Sequence, residues 1–322
     1  MSEPLLKVED LYKHYPIRRQ NTLTKYDQVK AVDGISFSVD EGETLGLVGE
    51  SGCGKSTTRK LVLNLEPATR GNVFFRGDDI FSMKKKELVQ FRKQAQVIYQ
   101  DPYSSLNPTW KVGSIIAEAY NVHHIGTAKE RREKVVALMD RVGLRKEYYD
   151  RYPHEFSGGQ RQRIGIARSL ALNPGFVVAD EPVSALDVSI QAQVLNLLKE
   201  LQEEFGLTYL FISHDLSVVK HLCDRIAVMY LGKIVEIAPT DQLFARTSHP
   251  YTQMLLKAIP FPDPDRRLEL SALEGEVPSP INPPSGCRFH TRCPHVMEKC
   301  KQDIPQMVKI ESGHEVACYL YE

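Results

Sequence analysis

One segment, Gly49–Thr57 (GESGCGKST), constrains this chain more than any other feature. It matches the pattern G-x-x-x-x-G-K-[ST] and lies between an apolar run ending at Val48 and the stretch 58–64, which has helical character. Glycines at a strand-to-helix turn leave backbone N–H groups free to surround phosphate oxygens at a helix N-terminus. Chance alone gives this pattern in roughly one per cent of chains of this length. The segment, called the phosphate loop below, therefore predicts a nucleotide site rather than an incidental glycine-rich turn.

The phosphate loop assigns chemical roles to its residues. Lys55 is expected to reach the β- and γ-phosphates of a nucleotide, and Ser56 is expected to coordinate Mg²⁺. The loop residues predicted to bind the nucleotide are Gly49, Ser51, Gly52, Cys53, Gly54, Lys55, Ser56 and Thr57.

Two adjacent carboxylates follow a second apolar run. Phe176–Ala179 leads directly into Asp180 and Glu181. Alone, acidic residues at the end of a strand usually belong to a solvated turn or a helix cap. In a chain that also has a phosphate loop, a role in the nucleotide site is the favoured interpretation. Asp180 is predicted to belong to the Mg²⁺ shell, and Glu181 to polarise the water that attacks the γ-phosphate.

Apolar runs and helical patterns alternate along the chain. Runs such as Thr44–Val48 and Tyr209–Ile212 are rich in β-branched or aromatic residues and predict buried strands. Thr127 and Glu130 form a capping box before one helical pattern, and Gly206 ends another. The alternation predicts an α/β fold with a parallel sheet, interrupted by a mainly helical insert between about 102 and 156.

Charge and hydropathy exclude several classes of protein. Among the 322 residues, 41 Lys and Arg balance 41 Asp and Glu, so the excess of positive charge expected of a general nucleic-acid binder is missing. No apolar run approaches the ~20 residues needed to cross a bilayer. Charged residues interrupt the first 16 positions, so no signal peptide is predicted and a cytosolic location is expected.

Further motifs carry a resemblance to the ATPase cassettes of ABC proteins. They are Phe156–Gln160 (FSGGQ), Ser213–Asp215 (SHD) after an apolar run, Tyr99–Pro102 (YQDP), Ser184–Asp187 (SALD), and Tyr15. The resemblance covers about residues 5–240. It implies a P-loop NTPase fold with a RecA-like core, an antiparallel β subdomain and a helical signature subdomain.

The resemblance also implies roles for these residues. Gln100 would sense metal and water, and His214 would contact the γ-phosphate, so the predicted catalytic residues are Glu181, His214 and Gln100. The predicted Mg²⁺ ligands are Ser56, Gln100 and Asp180. Tyr15 would stack on adenine, with Tyr12 as a nearby alternative.

The signature motif predicts a second anion site. Ser157 and Gln160 form an S-x-x-Q capping box, and the two glycines between them leave N–H groups exposed at a helix N-terminus. The resemblance implies that this second site completes the pocket of a partner cassette, so that two ATP molecules lie between two subunits. The residues predicted to act there are Ser157, Gly158, Gly159 and Gln160, and Asp187 is also predicted to bind ATP.

The region after the cassette resembles the ATP-binding subunits of bacterial dipeptide and oligopeptide importers. The resemblance rests on His249–Thr252 (HPYT), on proline-rich segments that include Pro278–Pro280, and on the cysteines that follow. It is strongest to the second ATPase subunit of dipeptide permeases, although sister subunits for nickel or other cargoes look similar. The exact cargo is open, and so is the choice between a homodimer and a heterodimer.

That resemblance implies a set of partners and a location. The chain would hydrolyse ATP to drive peptide translocation, paired with a paralogous ATPase beneath two transmembrane permease subunits. An external peptide-binding protein would act indirectly, and no nucleic acid is expected as a partner. The chain would be peripheral, at the cytoplasmic face of the bacterial inner membrane.

Three segments are predicted along the chain. They are an ATPase domain at 1–259 with a helical subdomain at about 102–160, a proline-rich linker at 260–286, and a cysteine-rich appendage at 287–322. Seven of the 19 prolines fall between Pro260 and Pro284, which is typical of an extended linker. Residues 16–30 are polar and basic and are interpreted as a surface loop without an assigned function.

Four cysteines in the last segment suggest a metal. Cys287, Cys293, Cys300 and Cys318 lack the C-x₂-C pairs of a zinc ribbon, and cytosolic thiols stay reduced. Chemistry leaves zinc and an iron–sulfur cluster open, because His290, His295 or His314 could replace a thiolate on zinc. The family resemblance favours a [4Fe-4S] cluster. Cys53 and Cys223 are not interpreted as ligands, although Cys53 could make the ATPase sensitive to thiol reagents.

Two other functions remain as alternatives. One is a soluble ABC ATPase that acts on nucleic acid in repair or translation, with a zinc-binding tail. A basic patch at Lys84–Lys86 is compatible with it, but Asp78, Asp79 and Glu87 nearby weaken that interpretation. The other is a scaffold that binds ATP without turnover, which the presence of Glu181 and His214 opposes.

Overall fold

A computed structural model describes residues 3–18, 26–258 and 276–322. The chain divides into two compact units. The first unit comprises residues 1–40, 44–82 and 212–322, and the second comprises 41–43 and 83–211.

In chain order the helices and strands are β1 (Leu6–Arg18), β2 (Tyr26–Val39), β3 (Thr44–Val48), α1 (Lys55–Val62), β4 (Arg70–Phe75), β5 (Asp78–Asp79), α2 (Lys85–Gln94), β6 (Ala95–Ile98), α3 (Pro102–Ser105), α4 (Val112–Val122), α5 (Ala128–Arg141), α6 (Gly158–Leu170), β7 (Phe176–Asp180), α7 (Val188–Phe205), β8 (Thr208–Ser213), α8 (Leu216–Leu222), β9 (Arg225–Tyr230), β10 (Lys233–Pro239), α9 (Thr240–Ala245), α10 (Pro250–Lys257), α11 (Glu298–Gln302), β11 (Val308–Glu311) and β12 (His314–Val316). Short 3₁₀ helices span Lys146–Asp150, Pro153–Glu155 and Tyr319–Tyr321.

An antiparallel sheet in the first unit has the order β2-β1-β4-β5. The prediction of a surface loop at residues 16–30 is wrong for 16–18 and 26–30. These residues lie in strands, because β1 continues to Arg18 and β2 starts at Tyr26. The two strands remain paired up to the Arg18–Tyr26 pair. Main-chain hydrogen bonds hold these strands together, so polar and basic side chains on an exposed ribbon do not prevent a strand. Residues 19–25 lie outside the described residues.

The first unit also contributes strands to a mixed sheet, in the order β11-β12-β10-β9-β3. β3 runs parallel to β9, and both are almost entirely buried, which explains their near-continuous apolar sequences. β10 pairs antiparallel with β9, and β12 pairs antiparallel with β10. The cysteine-rich segment is therefore not a separate appendage, because its strand β12 extends the sheet of the first unit. The sequence pattern missed this pairing because β12 has only three residues.

The second unit has the strand order β8-β7-β6, with β7 parallel to β6. Every residue of β7 is buried. The last two residues of β8 belong to the first unit. The strands of the two units and the helices between them confirm the α/β fold, including its antiparallel β sheet.

Local sequence signals account for the helix ends in the second unit. Thr127 caps α5 in a capping box with Glu130, as predicted. Gly206 ends α7 in the left-handed conformation, at φ 63°, where glycine has no steric penalty. The insert predicted to be mainly helical contains α3, α4, α5 and two of the 3₁₀ helices.

Part of the proline-rich linker, residues 259–275, lies outside the described residues. The rest, 276–286, forms no helix or strand, and Pro280 accepts a backbone hydrogen bond from Lys30 at 3.1 Å. Cys223, predicted to lie on a helical stretch, is the residue that follows the end of α8. In the described parts of the chain, every helix is too short or too polar to span a bilayer.

Candidate active site

The phosphate loop lies between β3 and α1 in the first unit. Gly49 has φ +154°, and a Cβ atom there would lie 2.1 Å from the carbonyl oxygen of Met229. Gly54 has φ +114°, and its Cβ would lie 2.2 Å from the carbonyl oxygen of Ala31. Only glycine can adopt the positive φ angle and also fit the available space at these two positions. The path of the loop is therefore fixed by packing against its neighbours.

One side of the loop remains open. Gly52 has φ +78°, and no atom lies within 4 Å of the position that its Cβ would occupy. Ser51 and Ser56 are exposed, and no side chain caps the N-terminus of α1. The first amides of α1 are thus free of side-chain acceptors and suited to an anion, as predicted for a phosphate.

Lys55 is folded over the loop. Its side-chain Nζ donates to the carbonyl oxygens of Gly49 at 2.7 Å and Glu50 at 3.1 Å, and the residue is 5% exposed. Cys53 is also buried, and burial raises the pKa of its thiol. The structure therefore opposes the expected sensitivity of Cys53 to thiol reagents, because a buried neutral thiol is a poor nucleophile.

Tyr15 lies beside the phosphate loop. Its hydroxyl donates to Glu66 Oε2 at 2.5 Å and also interacts with the side chain of Thr57. Burial and Glu66 together raise the pKa of Tyr15 to about 12. The alternative, Tyr12, packs edge-on against His14 instead. Tyr15 therefore contacts a phosphate-loop side chain, which is consistent with its prediction as the nucleotide-stacking residue.

In the second unit, the end of β7 meets the segment after β6. Asp180 is buried at the end of β7. Glu181 follows in the left-handed region, at φ +46°, which is strained for a residue with a side chain. Gln100 Nε2 donates to Glu181 Oε2 at 2.9 Å. The structure therefore brings together two predicted catalytic residues that are 81 positions apart in the sequence.

The signature residues also lie in the second unit, at the start of α6. Ser157 Oγ accepts from Gln160 N at 3.4 Å, and Gln160 Oε1 accepts from Ser157 N at 3.1 Å, so the predicted capping box is confirmed. A Cβ on Gly159 would lie 2.5 Å from Ile190 Cγ2, so any larger residue there would force the Ile190 side chain to shift. Asp187 is exposed and stands at the N-terminus of α7 without a side-chain capping bond.

His214 belongs to the first unit and follows β8 directly. It is exposed, and Asp215 after it caps α8 by accepting from Ser217 N. The predicted catalytic and nucleotide-binding residues therefore fall into two sets. The first unit holds the phosphate loop, Tyr15 and His214, while the second holds Gln100, Asp180, Glu181, the signature residues and Asp187.

The predicted [4Fe-4S] cluster is contradicted. Across 3–18, 26–258 and 276–322, a range that includes all the cysteines, no three His, Cys, Asp or Glu side chains are placed to hold a metal ion. The same finding contradicts the zinc alternative. Cys287, Cys293, Cys300 and Cys318 are free thiols that line a cavity of about 10 Å³, roughly the size of one water molecule. Burial raises the pKa of Cys287 to about 11, so this thiol is neutral at physiological pH.

Comparisons with known proteins agree with the architecture. The sequence profile of the ABC transporter family matches residues 32–184, and the profile of the oligopeptide/dipeptide transporter C-terminal region matches 235–300. The chain is 54% identical over 322 residues to the oligopeptide transport ATP-binding protein AppF of Bacillus subtilis, covering 99% of this chain and 98% of the relative. The chain belongs to the ABC transporter family.

Other proteins similar to this ABC protein agree with the family assignment. The dipeptide transport ATP-binding protein DppF of Haemophilus influenzae is 51% identical over 316 residues, covering 98% of this chain and 96% of the relative. Among solved structures, cbiO1 from Clostridium perfringens, part of the transporter complex cbiONQ, has a TM-score of 0.66 at 26% identity, covering 76% of this chain and 92% of that one. A dimeric ATP-binding cassette, MJ0796, bound to ADP and Pi, has a TM-score of 0.65 at 26% identity, covering 73% and 98%.

These findings confirm the P-loop NTPase fold and identify the chain as an ABC ATPase. They give no support to the alternative of a nucleic-acid ATPase. Sequence reasoning missed Arg292 and Tyr251, which contact Glu50 of the phosphate loop. No local motif marks either residue, because the contacts join segments about 200 positions apart or more.

Proposed function

We propose that this ABC ATPase energises the import of dipeptides or oligopeptides. The observation that carries the cargo class is the match of residues 235–300 to the oligopeptide/dipeptide transporter C-terminal region. The named relatives, which match nearly the full length, are oligopeptide and dipeptide transport ATP-binding proteins. ATP hydrolysis in this chain would supply the energy for the movement of a peptide across the membrane.

The phosphate loop is proposed to bind the phosphate chain of ATP. The open side of Gly52 and the uncapped start of α1 suit an anion, and Lys55 can exchange its two carbonyl acceptors for phosphate oxygens. Mg²⁺, when bound, neutralises charge on the phosphates. Ser56, Gln100 and Asp180 are its proposed ligands, because they would offer the hydroxyl, amide and carboxylate oxygens that this hard cation prefers.

Glu181 is proposed to be the general base. Its carboxylate would accept a hydrogen bond from the attacking water and orient one of that water's lone pairs toward the γ-phosphorus. The hydrogen bond from Gln100 holds the carboxylate, and the left-handed backbone of Glu181 fixes the direction of its side chain. His214 would donate to the γ-phosphate, and Tyr15 would stack on the adenine.

The signature surface is proposed to face a second ATPase subunit. Ser157, Gly158, Gly159, Gln160 and Asp187 would complete the nucleotide site of that partner. Val188, next to Asp187, is 82% exposed, so its side chain is available for contact with that subunit. The partner is proposed to be a paralogous subunit, by analogy with the heterodimers of peptide importers.

The second unit also offers a surface for a permease. Exposed aromatic side chains occur near the Gln100 segment and in the helical insert, at Tyr99, Tyr103, Trp110 and Tyr152. Aromatic residues of this kind are enriched in protein interfaces. We assign this surface to the cytoplasmic helices of two permease subunits, which places the chain peripherally at the inner face of the membrane, with an external peptide-binding protein acting through the permease.

Purification and reconstitution test the proposed function. A tagged chain, isolated from detergent-solubilised native membranes, is expected to bring down two integral membrane subunits and a second ATPase. In proteoliposomes, a peptide-loaded binding protein is expected to stimulate ATP turnover. Retention of both membrane subunits with stimulation by nickel alone would refute the peptide cargo, and recovery without any membrane subunit would refute the importer itself.

A further inference from the structure

Glu50, the second residue of the phosphate loop, is held by the C-terminal part of the chain. Arg292 Nη1 donates to Glu50 Oε2 at 2.9 Å, and Arg292 Nη2 donates to Glu50 Oε1 at 3.2 Å, so the pair is bidentate. The backbone N–H of Glu50 donates to the hydroxyl oxygen of Tyr251 at 2.9 Å. All three residues belong to the first unit. Both the side chain and the backbone of Glu50 are thus bound by residues that follow the cassette core.

Arg292 is anchored in a buried aromatic cluster. Its side chain is 3% exposed, and its guanidinium lies 5.9 Å from the ring centroid of Phe289 and 6.0 Å from that of Tyr230. Tyr230, Tyr251 and Phe289 are fully buried, with ring centroids 4.6 to 5.4 Å apart. Packed rings restrict the rotamers of the side chains against them. The cluster therefore holds Arg292 at a fixed distance from the phosphate loop.

The charge of Glu50 gives this contact a consequence for nucleotide binding. A carboxylate in a loop that accepts the anionic phosphate chain repels its ligand unless a cation neutralises it. Burial alone would lower the pKa of Arg292, but the hydrogen bonds and charge of Glu50 outweigh burial and raise it. Arg292 therefore stays positively charged at physiological pH and offsets the negative charge of the Glu50 carboxylate.

We propose that Arg292 is a positioning residue for the phosphate loop. Through Glu50 it fixes the path of the loop and neutralises the one carboxylate within Gly49–Thr57, so the C-terminal segment sets the affinity for ATP. Arg292 itself does not touch the nucleotide. The inference rests on the proposed role of the phosphate loop in binding ATP.

A set of variants in the full-length chain tests the inference. We expect Arg292→Gln to raise the Kd of MgATP, measured with a fluorescent ATP analogue, and the KM of ATP by about tenfold, because Glu50 is left unpaired, while kcat changes less than about threefold. Arg292→Lys keeps the positive charge but cannot form the bidentate pair with Glu50. Its Kd for MgATP should therefore rise less than that of Arg292→Gln. The double variant Glu50→Gln/Arg292→Gln should return to within about threefold of the wild-type Kd, since the repelling carboxylate is gone.

A matched control separates this effect from the general loss of an ion pair. Arg246 pairs with Glu311 at 2.8 Å and so also joins the C-terminal segment to the end of α9, but its side chain is exposed and its partner is not a phosphate-loop residue. Arg246→Gln is expected to leave the Kd of MgATP unchanged. Thermal unfolding without nucleotide shows which variants are folded.

Two results would overturn the inference. One is a Kd within about twofold of wild type for folded Arg292→Gln or, if that variant does not fold, for Arg292→Lys. The other is a double variant that binds MgATP as weakly as Arg292→Gln, because the carboxylate would then not be the cause. Lys55→Ala separates this failure from that of the proposed site: if Lys55→Ala still binds MgATP as wild type does, the phosphate loop itself is misassigned.

Discussion

At the residue scale, the proposed chemistry of this ABC ATPase involves a few positions with strained or fully constrained geometry. Glu181 keeps a left-handed backbone, and Gln100 binds its carboxylate. Gly49 occupies a site where any Cβ would overlap the backbone of Met229. Such geometry costs stability unless the surrounding structure enforces it, and this combination is typical of active sites.

Glu181→Gln tests the proposed base. We expect ATP turnover to fall by about 10²- to 10⁴-fold, because the amide cannot accept the proton of the attacking water. The Kd of MgATP should remain near that of the wild type, since Gln is isosteric. Glu200→Gln, an exposed carboxylate on α7, is the control and should keep full turnover. Unchanged turnover in Glu181→Gln would disprove the assignment.

Gly49→Ala and Gly42→Ala compare two glycines of positive φ. Gly42 has φ +79° and open space around the added methyl, so its substitution should cost about 1 kcal/mol of unfolding free energy. In Gly49→Ala the added Cβ would lie only 2.1 Å from a carbonyl oxygen, so the substitution should cost roughly 3 kcal/mol or more. Urea unfolding of both variants measures the difference, and equal costs would contradict the packing argument.

At the element scale, a buried polar cluster joins β10, β12 and the start of α10. Glu236 on β10 is fully buried and accepts from Ser248 N at 2.8 Å, His249 N at 3.1 Å and His314 Nε2 at 2.8 Å. His314 lies on β12, so the cluster fastens the cysteine-rich segment to the sheet. Because each oxygen of Glu236 has a donor, the cost of burying the carboxylate is offset.

His249, at the N-terminus of α10, gives this cluster a pH dependence. Burial lowers the pKa of His249 from 6.5 to about 3, so the folded chain holds the ring neutral while the unfolded chain binds a proton below pH 6.5. Stability should therefore fall as the pH drops from about 6.5 toward 3, with a slope up to about 1.4 kcal/mol per pH unit from this group. His249→Asn should flatten that slope in urea unfolding measured at pH 7, 6 and 5. An unchanged slope would show that His249 is not the group responsible.

At the scale of the whole molecule, the proposed function includes pairing with a second ATPase subunit. The phosphate loop and the signature residues are both present, in different units of the chain. The exposure of Asp187 and Val188 marks the start of α7 as the proposed contact with the partner.

Val188→Arg tests that contact. In the Glu181→Gln background, which should trap ATP, the chain and its partner ATPase are expected to form a dimer in sedimentation experiments. Val188→Arg should abolish this dimer, because it places a charge in an apolar contact. Val122→Arg is the matched control, since Val122 is also exposed, at the end of α4, and is assigned to no interface. Dimerisation of Val188→Arg at the wild-type level would refute the proposed interface.

The sequence alone determined those features that depend on neighbouring residues. The phosphate loop between a strand and a helix, the capping boxes at Thr127 and Ser157, and the glycine that ends α7 all follow from local backbone requirements. The motif order also indicated the family, because each motif is a short contiguous segment. These signals were sufficient for the α/β fold and for the list of candidate site residues.

Only the tertiary structure decided which distant residues meet. It placed Gln100 against Glu181, and Arg292 against Glu50 across 242 positions. It paired the three-residue strand β12 with β10, and it showed that the four cysteines of the last segment do not form a metal site in the described chain. The physical reason is that side-chain chemistry fixes what a residue can bind, whereas convergence in space depends on strand pairing and packing between segments that no local pattern records.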